Sequence, residues 1–180
     1  PEELQKASQV KAVHGEGNMT SGDGHIVPDF EKALKVGLRG IINEAVEARD
    51  KVDITVFGGY DKRDFLDSIV ILNEAVIDFA HRFSSLASEF AEKETDEKRK
   101  KELLTIAENC KNVPENSPKT FWEAVQLIWF IHLVIQIESN GHSASLGRTD
   151  QYLYEFYKKD VITDKTMDRE FAKEIGRAHV

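Results

Sequence analysis

Thr120 to Asp150, TFWEAVQLIWFIHLVIQIESNGHSASLGRTD, is the stretch whose reading decides the fold. Pro118 precedes it, and Thr120 with Glu123 forms a capping box, in which two side chains satisfy backbone N–H groups that the first helical turn leaves orphaned. Apolar residues then occupy both the Ala124/Leu127/Ile128/Ile131/Ile135 stripe and the opposing Val125/Trp129/Leu133 stripe, so almost no face suits water. The spacing predicts a helix buried on nearly every side. His132 and Gln136 interrupt the apolar run, which falls short of the ~18–20 residues of a bilayer span, so the expected surroundings are protein. Ser139, Asn140 and Gly141 stop the helix, since Asn and Gly accept the left-handed conformation of a C-cap. The polar segment His142-Ser143-Ala144-Ser145 follows, delivered by a buried rod.

Around this rod the composition is that of a soluble globular protein: 180 residues, 41% hydrophobic and 31% charged, with a net charge of −8. Acidic residues outnumber basic ones by 32 to 24, which gives no cationic field for nucleic acid or an anionic membrane, and neither is expected as a partner. A lone cysteine, Cys110, excludes an internal disulfide and points to a reducing, cytoplasmic setting. The chain opens on Pro1, and Ile175 to Val180 reads as a translated sequencing-adapter string; the expected native unit is therefore 1–174, without internal repeats or linkers.

Upstream, Glu2 to Val13 suits a short helix, and Gly15 to Gly24 is a loop that leads to His25. Asp29 is placed to cap a helix in which Phe30, Ala33, Leu34, Gly37, Leu38, Ile41, Ile42 and Ala45 form the inward stripe of one element of about five turns. The β-branched run Val52 to Val56, closed by Gly58-Gly59, predicts an extended connection or short strand. From Asp61 to about Glu92, Phe65, Ile69, Leu72, Val76, Phe79, Phe83, Leu86 and Phe90 make a heptad seam along a helix of roughly 45–50 Å. Thr95 is expected to cap the next helix, which turns Leu103, Ile106, Ala107 and Cys110 inward; Gly147 to Asp150 opens another bearing Tyr152, Leu153, Phe156 and Tyr157, and Thr163 caps a last one. The expected class is mainly α, built of long packed helices.

Few residues announce chemistry. Cys110 stands in register with Leu103, Ile106 and Ala107, which makes it core, and His132 reads as a core histidine with its hydrogen bonds satisfied. Asp78 and His81 supply half of a carboxylate–histidine metal site, with no second such pair to complete it, so no metal is expected. Phosphate-loop, nucleophile-elbow and paired-cysteine motifs are lacking. That leaves the polar segments around His25 and around His142-Ser143, which on local chemistry alone are loops beside a buried helix.

Several blocks of text carry a family resemblance. Asn109-Cys110, Val113-Pro114-Glu115-Asn116, Phe121 to Gln126, Trp129 to His132, Glu138 to Ser143 and Gly147 to Tyr154, preceded by Gly24 to Phe30 with Lys32 and Leu34, closely resemble the glycyl radical enzymes, the pyruvate formate-lyase-like family, in the family's order. The resemblance implies that these residues are the N-terminal helical part of a much longer enzyme with a ten-stranded α/β barrel, a homodimer acting on a small molecule. It further implies a backbone glycyl radical, installed by a separate activating enzyme that uses S-adenosylmethionine and an iron–sulfur cluster, which raises a thiyl radical on a barrel-loop cysteine. Cys110 does not match that cysteine, so no catalytic residue is expected within this chain and the chain by itself should be inert.

The branch of the family is read from the polar blocks. Glycerol and 1,2-diol dehydratases set a histidine in the earlier block and a His-Ser pair after the buried helix against the substrate hydroxyls; His25, His142 and Ser143 match those positions, which implies substrate-binding roles for them. Neutral imidazoles and a hydroxyl suit a diol, because each can both donate and accept. Arylacetate decarboxylases retain similar Asn-Gly-His-Ser text, and Glu155 stands where many relatives have proline. Two alternatives stay open: a pyruvate formate-lyase in the strict sense, and a free-standing helical interaction module that recruits a partner through the Phe65–Phe90 seam.

Overall fold

The computed structural model describes residues 2–10, 25–139 and 144–178. Helices α1 (Glu2–Gln9), α2 (Phe30–Arg49), α3 (Gly59–Lys93), α4 (Glu97–Asn112), α5 (Phe121–Ser139), α6 (Thr149–Tyr152), α7 (Tyr154–Tyr157) and α8 (Arg169–Ala178) follow in chain order, with a π-helical turn at Lys158–Thr163 between α7 and α8. Among the described residues there is no strand, and Val52–Val56 forms turns instead of the expected extended run. Asp53 is the reason: its Oδ1 accepts the backbone N–H and the hydroxyl of Thr55, at 2.9 and 2.6 Å, and this local bond curls the chain.

The decisive helix, α5, is the axis of the packing. Leu127 and Ile128 join Phe30, Ala33 and Leu34 of α2; Phe130 meets Ala80 of α3 and Cys110 of α4; Phe121 and Val125 are covered by Ala172 and Ile175 of α8. Burial of side chains of this size contributes about 1.5–3 kcal/mol each. The second half is less enclosed than its composition predicts, since 131–136 are only half-buried and Ile137 is 68% exposed. Phe121–Glu138 does reach the length and hydropathy of a bilayer span, a mean of 1.2, contrary to the shorter run expected. Its first half is nevertheless walled by protein.

The start of α5 is held from a distance. Thr120 Oγ accepts the Glu123 N–H at 3.1 Å, as the capping box requires, while the Glu123 carboxylate takes the Lys119 N–H and the Asn112 amide. The Phe121 N–H goes to Asp160 Oδ2 at 2.7 Å, and Asp160, 2% exposed, also meets Lys159 Nζ at 3.2 Å. A buried carboxylate at a helix N-terminus is favoured by the free N–H groups and by the helix dipole. Asp160→Ala is expected to cost about 2–3 kcal/mol, seen as a lower urea midpoint followed by the combined fluorescence of Trp122 and Trp129.

α2 begins as expected, with Lys32 N–H donating to Asp29 Oδ1 at 3.0 Å, but it is not one continuous rod. Gly37, at φ 65°, breaks it, and the Val113–Ser117 strap enters the gap. Leu38 and Arg39 N–H donate to the carbonyls of Pro114 and Glu115, each at 2.9 Å, and Ser117 Oγ donates to the Lys35 carbonyl at 2.7 Å. The groups freed by the break are thus re-satisfied by one segment. Arg39 adds an ionic clasp: it pairs with Glu74 of α3 and, at 2.9 Å, with Glu115, whose other oxygen lies 3.3 Å from His81 Nε2.

α3 has the expected length and a different inward face. Val76, Ile77, Ala80, Ala87 and Ala91 are buried, whereas Phe65, Leu72, Phe83, Leu86 and Phe90 are exposed. Val76 belongs to the predicted seam, but Ile77, Ala80, Ala87 and Ala91 each lie one residue beyond a predicted position. Alanines bring α4 close enough for Ser84 Oγ to donate to the Ala107 carbonyl at 2.7 Å, and Phe83, Leu86 and Phe90 are displaced to the rim of a cavity of about 310 Å³ with Leu103, Trp129 and Leu133. Two caps also shift. Asp96, not Thr95, accepts the Lys98 and Arg99 N–H groups of α4, and Asp168, not Thr163, accepts the Phe171 N–H of α8.

Candidate functional site

The segment before α2 and the segment after α5 meet through their backbones. Ile26 and Ala144 form a parallel β-bridge, and Ser145 N–H donates to the Ile26 carbonyl at 2.9 Å. A Cβ built on Gly147 would stand 3.0 Å from Val27 Cγ1, so the contact continues along both chains. Farther on, Tyr152 donates its hydroxyl to the Leu146 carbonyl at 2.5 Å and sets its ring 6.1 Å from that of Phe30, the first residue of α2. Burial pushes the Tyr152 phenol up to about 12, which keeps it a donor at any ordinary pH. The segment after α5 therefore meets the α2 entrance at the Ile26–Ala144 bridge, at Gly147 against Val27, and at the Tyr152 ring against Phe30.

His25 is exposed and directly precedes the bridge. His142 and Ser143 lie outside the described residues; Ser143 directly precedes Ala144, the other end of the bridge. Beside these segments, Phe121, Val125 and Ile128 of α5 and Leu146 and Leu153 opposite line a cavity of about 620 Å³. Its walls are mostly apolar; Thr149, at the start of α6, and Lys173 and Arg177 of α8 add polar and cationic groups. Arg148 is paired with Asp150 at 3.3 Å. None of His25 to Phe30 and Ala144 to Gly147 is a lysine or arginine.

The other candidates resolve into packing. Cys110 is 3% exposed, and burial raises its thiol to about 11, so it stays neutral and unreactive. His81 is spent on Glu115, and among the described residues no group of His, Cys, Asp and Glu is arranged to hold a metal ion. His132 departs from the satisfied core histidine expected: Nε2 sits 3.3 Å from Gln136 Nε2, while Nδ1 is buried without a partner.

A family model described as pyruvate formate lyase-like matches residues 1–179. The chain belongs to the pyruvate formate lyase-like family. It is accordingly a glycyl radical enzyme sequence, as the Asn109–Tyr154 text implies. Within this family the chain is 47% identical over 163 residues to a probable dehydratase, YbiW, of Escherichia coli, covering 91% of this chain and 20% of that protein. It is 41% identical to the (2S)-3-sulfopropanediol dehydratase of Klebsiella oxytoca, over 86% of this chain and 19% of that protein. A solved structure concerned with 1,2-propanediol dehydration in Roseburia inulinivorans superposes with a TM-score of 0.82 at 44% identity, covering 86% of this chain and 19% of that one. The chain thus spans about a fifth of the length of the relatives it matches.

Proposed function

We propose that the chain is the N-terminal helical part of a glycyl radical dehydratase that eliminates water from a small vicinal diol, in which His25, His142 and Ser143 hold the substrate hydroxyls. The observation that carries this reading is the Ile26–Ala144 bridge, because it joins the two chain segments that bear these side chains. Three polar groups that each donate and accept suit two adjacent hydroxyls, and a neutral imidazole can take up the proton released and, as the imidazolium so formed, give it to the departing hydroxyl. The glycyl radical, carried outside these residues and installed by a separate activating enzyme, would supply hydrogen abstraction from the substrate carbon.

Neither block carries a lysine or arginine, and the similarity to named dehydratases supports loss of water. The test uses the full-length parent polypeptide after anaerobic activation. Glycerol or 1,2-propanediol is expected to yield the corresponding aldehyde, measured with a coupled alcohol dehydrogenase. Formate released from pyruvate and coenzyme A, with no aldehyde from either diol, would overturn the proposal.

A further inference from the structure

Tyr152 stands where the two bridged segments and the core come together. Its ring packs against the cluster that Phe30, Ala33 and Leu34 of α2 form with Ala124, Leu127 and Ile128 of α5. The close-packed α2–α5 core therefore fixes the ring, and with it the position of the hydroxyl at the ring's far end. Packing does not require that hydroxyl, since the ring alone fills the space. It leaves the apolar cluster and donates to the Leu146 carbonyl at 2.5 Å, so its contribution is a hold on the loop backbone.

The hold acts one residue from the bridge, where it is needed. Ile26 and Ala144 make an isolated bridge, with Ser145 N–H on the Ile26 carbonyl at 2.9 Å, and so short a pairing has little of its own to fix its register. A slip of one residue would turn the neighbouring side chains to the opposite face. Those neighbours are His25, directly before Ile26, and Ser143, directly before Ala144. On the far side Gly147, at φ 68°, turns the chain so that its N–H reaches Ser145 Oγ at 3.2 Å, and between these two bonds the Leu146 carbonyl is taken by Tyr152. We infer that Tyr152 is a positioning residue of the parent enzyme: through the Leu146 carbonyl it sets the register of the 144–146 segment on Ile26, and so the spacing between His25 and the pair His142 and Ser143. The effect on turnover rests on the diol-pocket reading; the hold on the backbone does not.

The test is Tyr152→Phe in the activated full-length parent, which keeps the ring and removes only the hydroxyl. Amide hydrogen exchange in a peptide spanning 144–147 is expected to speed up about fivefold, the size of one lost hydrogen bond, while peptides from the middle of α2 and α5 exchange as before. At equal glycyl radical yield by electron paramagnetic resonance, kcat/KM for the diol is expected to fall about three- to tenfold. With His142 already replaced by alanine the same substitution should cost less than twofold, because the side chain that the register serves is then gone. An equal loss in both backgrounds would make the tyrosine a structural residue only and overturn the inference, as would unchanged exchange in 144–147. Should the variant fail to fold, a crystal structure of the unsubstituted parent decides: a Tyr152 hydroxyl within about 3.2 Å of the Leu146 carbonyl, with His25, His142 and Ser143 facing one cavity, supports it, and a hydroxyl turned elsewhere refutes it. A parent that makes no aldehyde from glycerol or 1,2-propanediol sinks the diol reading alone, and the exchange rates still decide whether the hydroxyl holds the loop.

Discussion

Gly37→Ala is expected to destabilise the chain by about 3–5 kcal/mol, comparable with the whole stability of a small domain. Two costs add. Gly37 sits at φ 65° and ψ 173°, a region essentially confined to glycine that costs any other residue about 1–3 kcal/mol. A Cβ there would also stand 2.4 Å from the Glu115 carbonyl oxygen and 2.6 Å from the Asn116 carbonyl carbon. Neither is a flexible side-chain end. The strap cannot retreat without losing the bonds from Leu38 and Arg39 to the Pro114 and Glu115 carbonyls, and overpacking of such a contact costs about 1–3 kcal/mol more. Gly58→Ala is the control: its φ is 77° but nothing lies within 4 Å of the built Cβ, so only the backbone cost of about 1–2 kcal/mol applies. Urea unfolding of both variants measures the difference. Equal midpoints would show that the strap yields and that Gly37 is needed for conformation alone.

The same position shows where the sequence stops being legible. Gly37 fits the inward stripe of α2 as well as any small residue, and no local pattern says that residues 113–117 will enter there. Local signals worked where the partner was local: Asp29 accepts Lys32 N–H, and the Thr120 cap accepts Glu123 N–H. They failed where a neighbouring residue offered a better geometry, as Asp96 does beside Thr95. The α3 seam was misplaced because alanines weigh little in hydrophobic patterns, although they decide how closely two helices approach; Ala80, Ala87 and Ala91 are buried while Phe65 is 65% exposed. In the candidate site, His25, His142 and Ser143 were visible only through family text. Tyr152 was read as one more apolar position, because a hydroxyl aimed at the Leu146 carbonyl leaves no periodic trace. Asp160, alone in a charged stretch, gave no sign that it would cap a helix 39 residues upstream.

Replacing His142 with alanine in the full-length parent is expected to lower kcat/KM for the diol by about 10²–10⁴, the span of a positioned acid–base group, while the glycyl radical forms in unchanged yield. The two readouts part because radical installation requires the glycine loop and the activating enzyme, neither of which the proposal places near residues 142–143. The expected size follows from what the bridge fixes. Ser145 N–H is bonded to the Ile26 carbonyl at 2.9 Å and the Leu146 carbonyl to the Tyr152 hydroxyl, so the backbone after the contact is tied down and movement of the loop is not expected to replace a truncated side chain. Ser143→Ala should cost less, about ten- to a hundredfold, since the hydroxyl contributes a hydrogen bond and no proton transfer. His25→Ala should resemble His142→Ala, and the double variant should fall little below either single one, because groups that act as a unit are not additive. Full additivity, with each single loss surviving unchanged in the other's absence, would mean that the bridge joins two segments whose side chains serve separate ends.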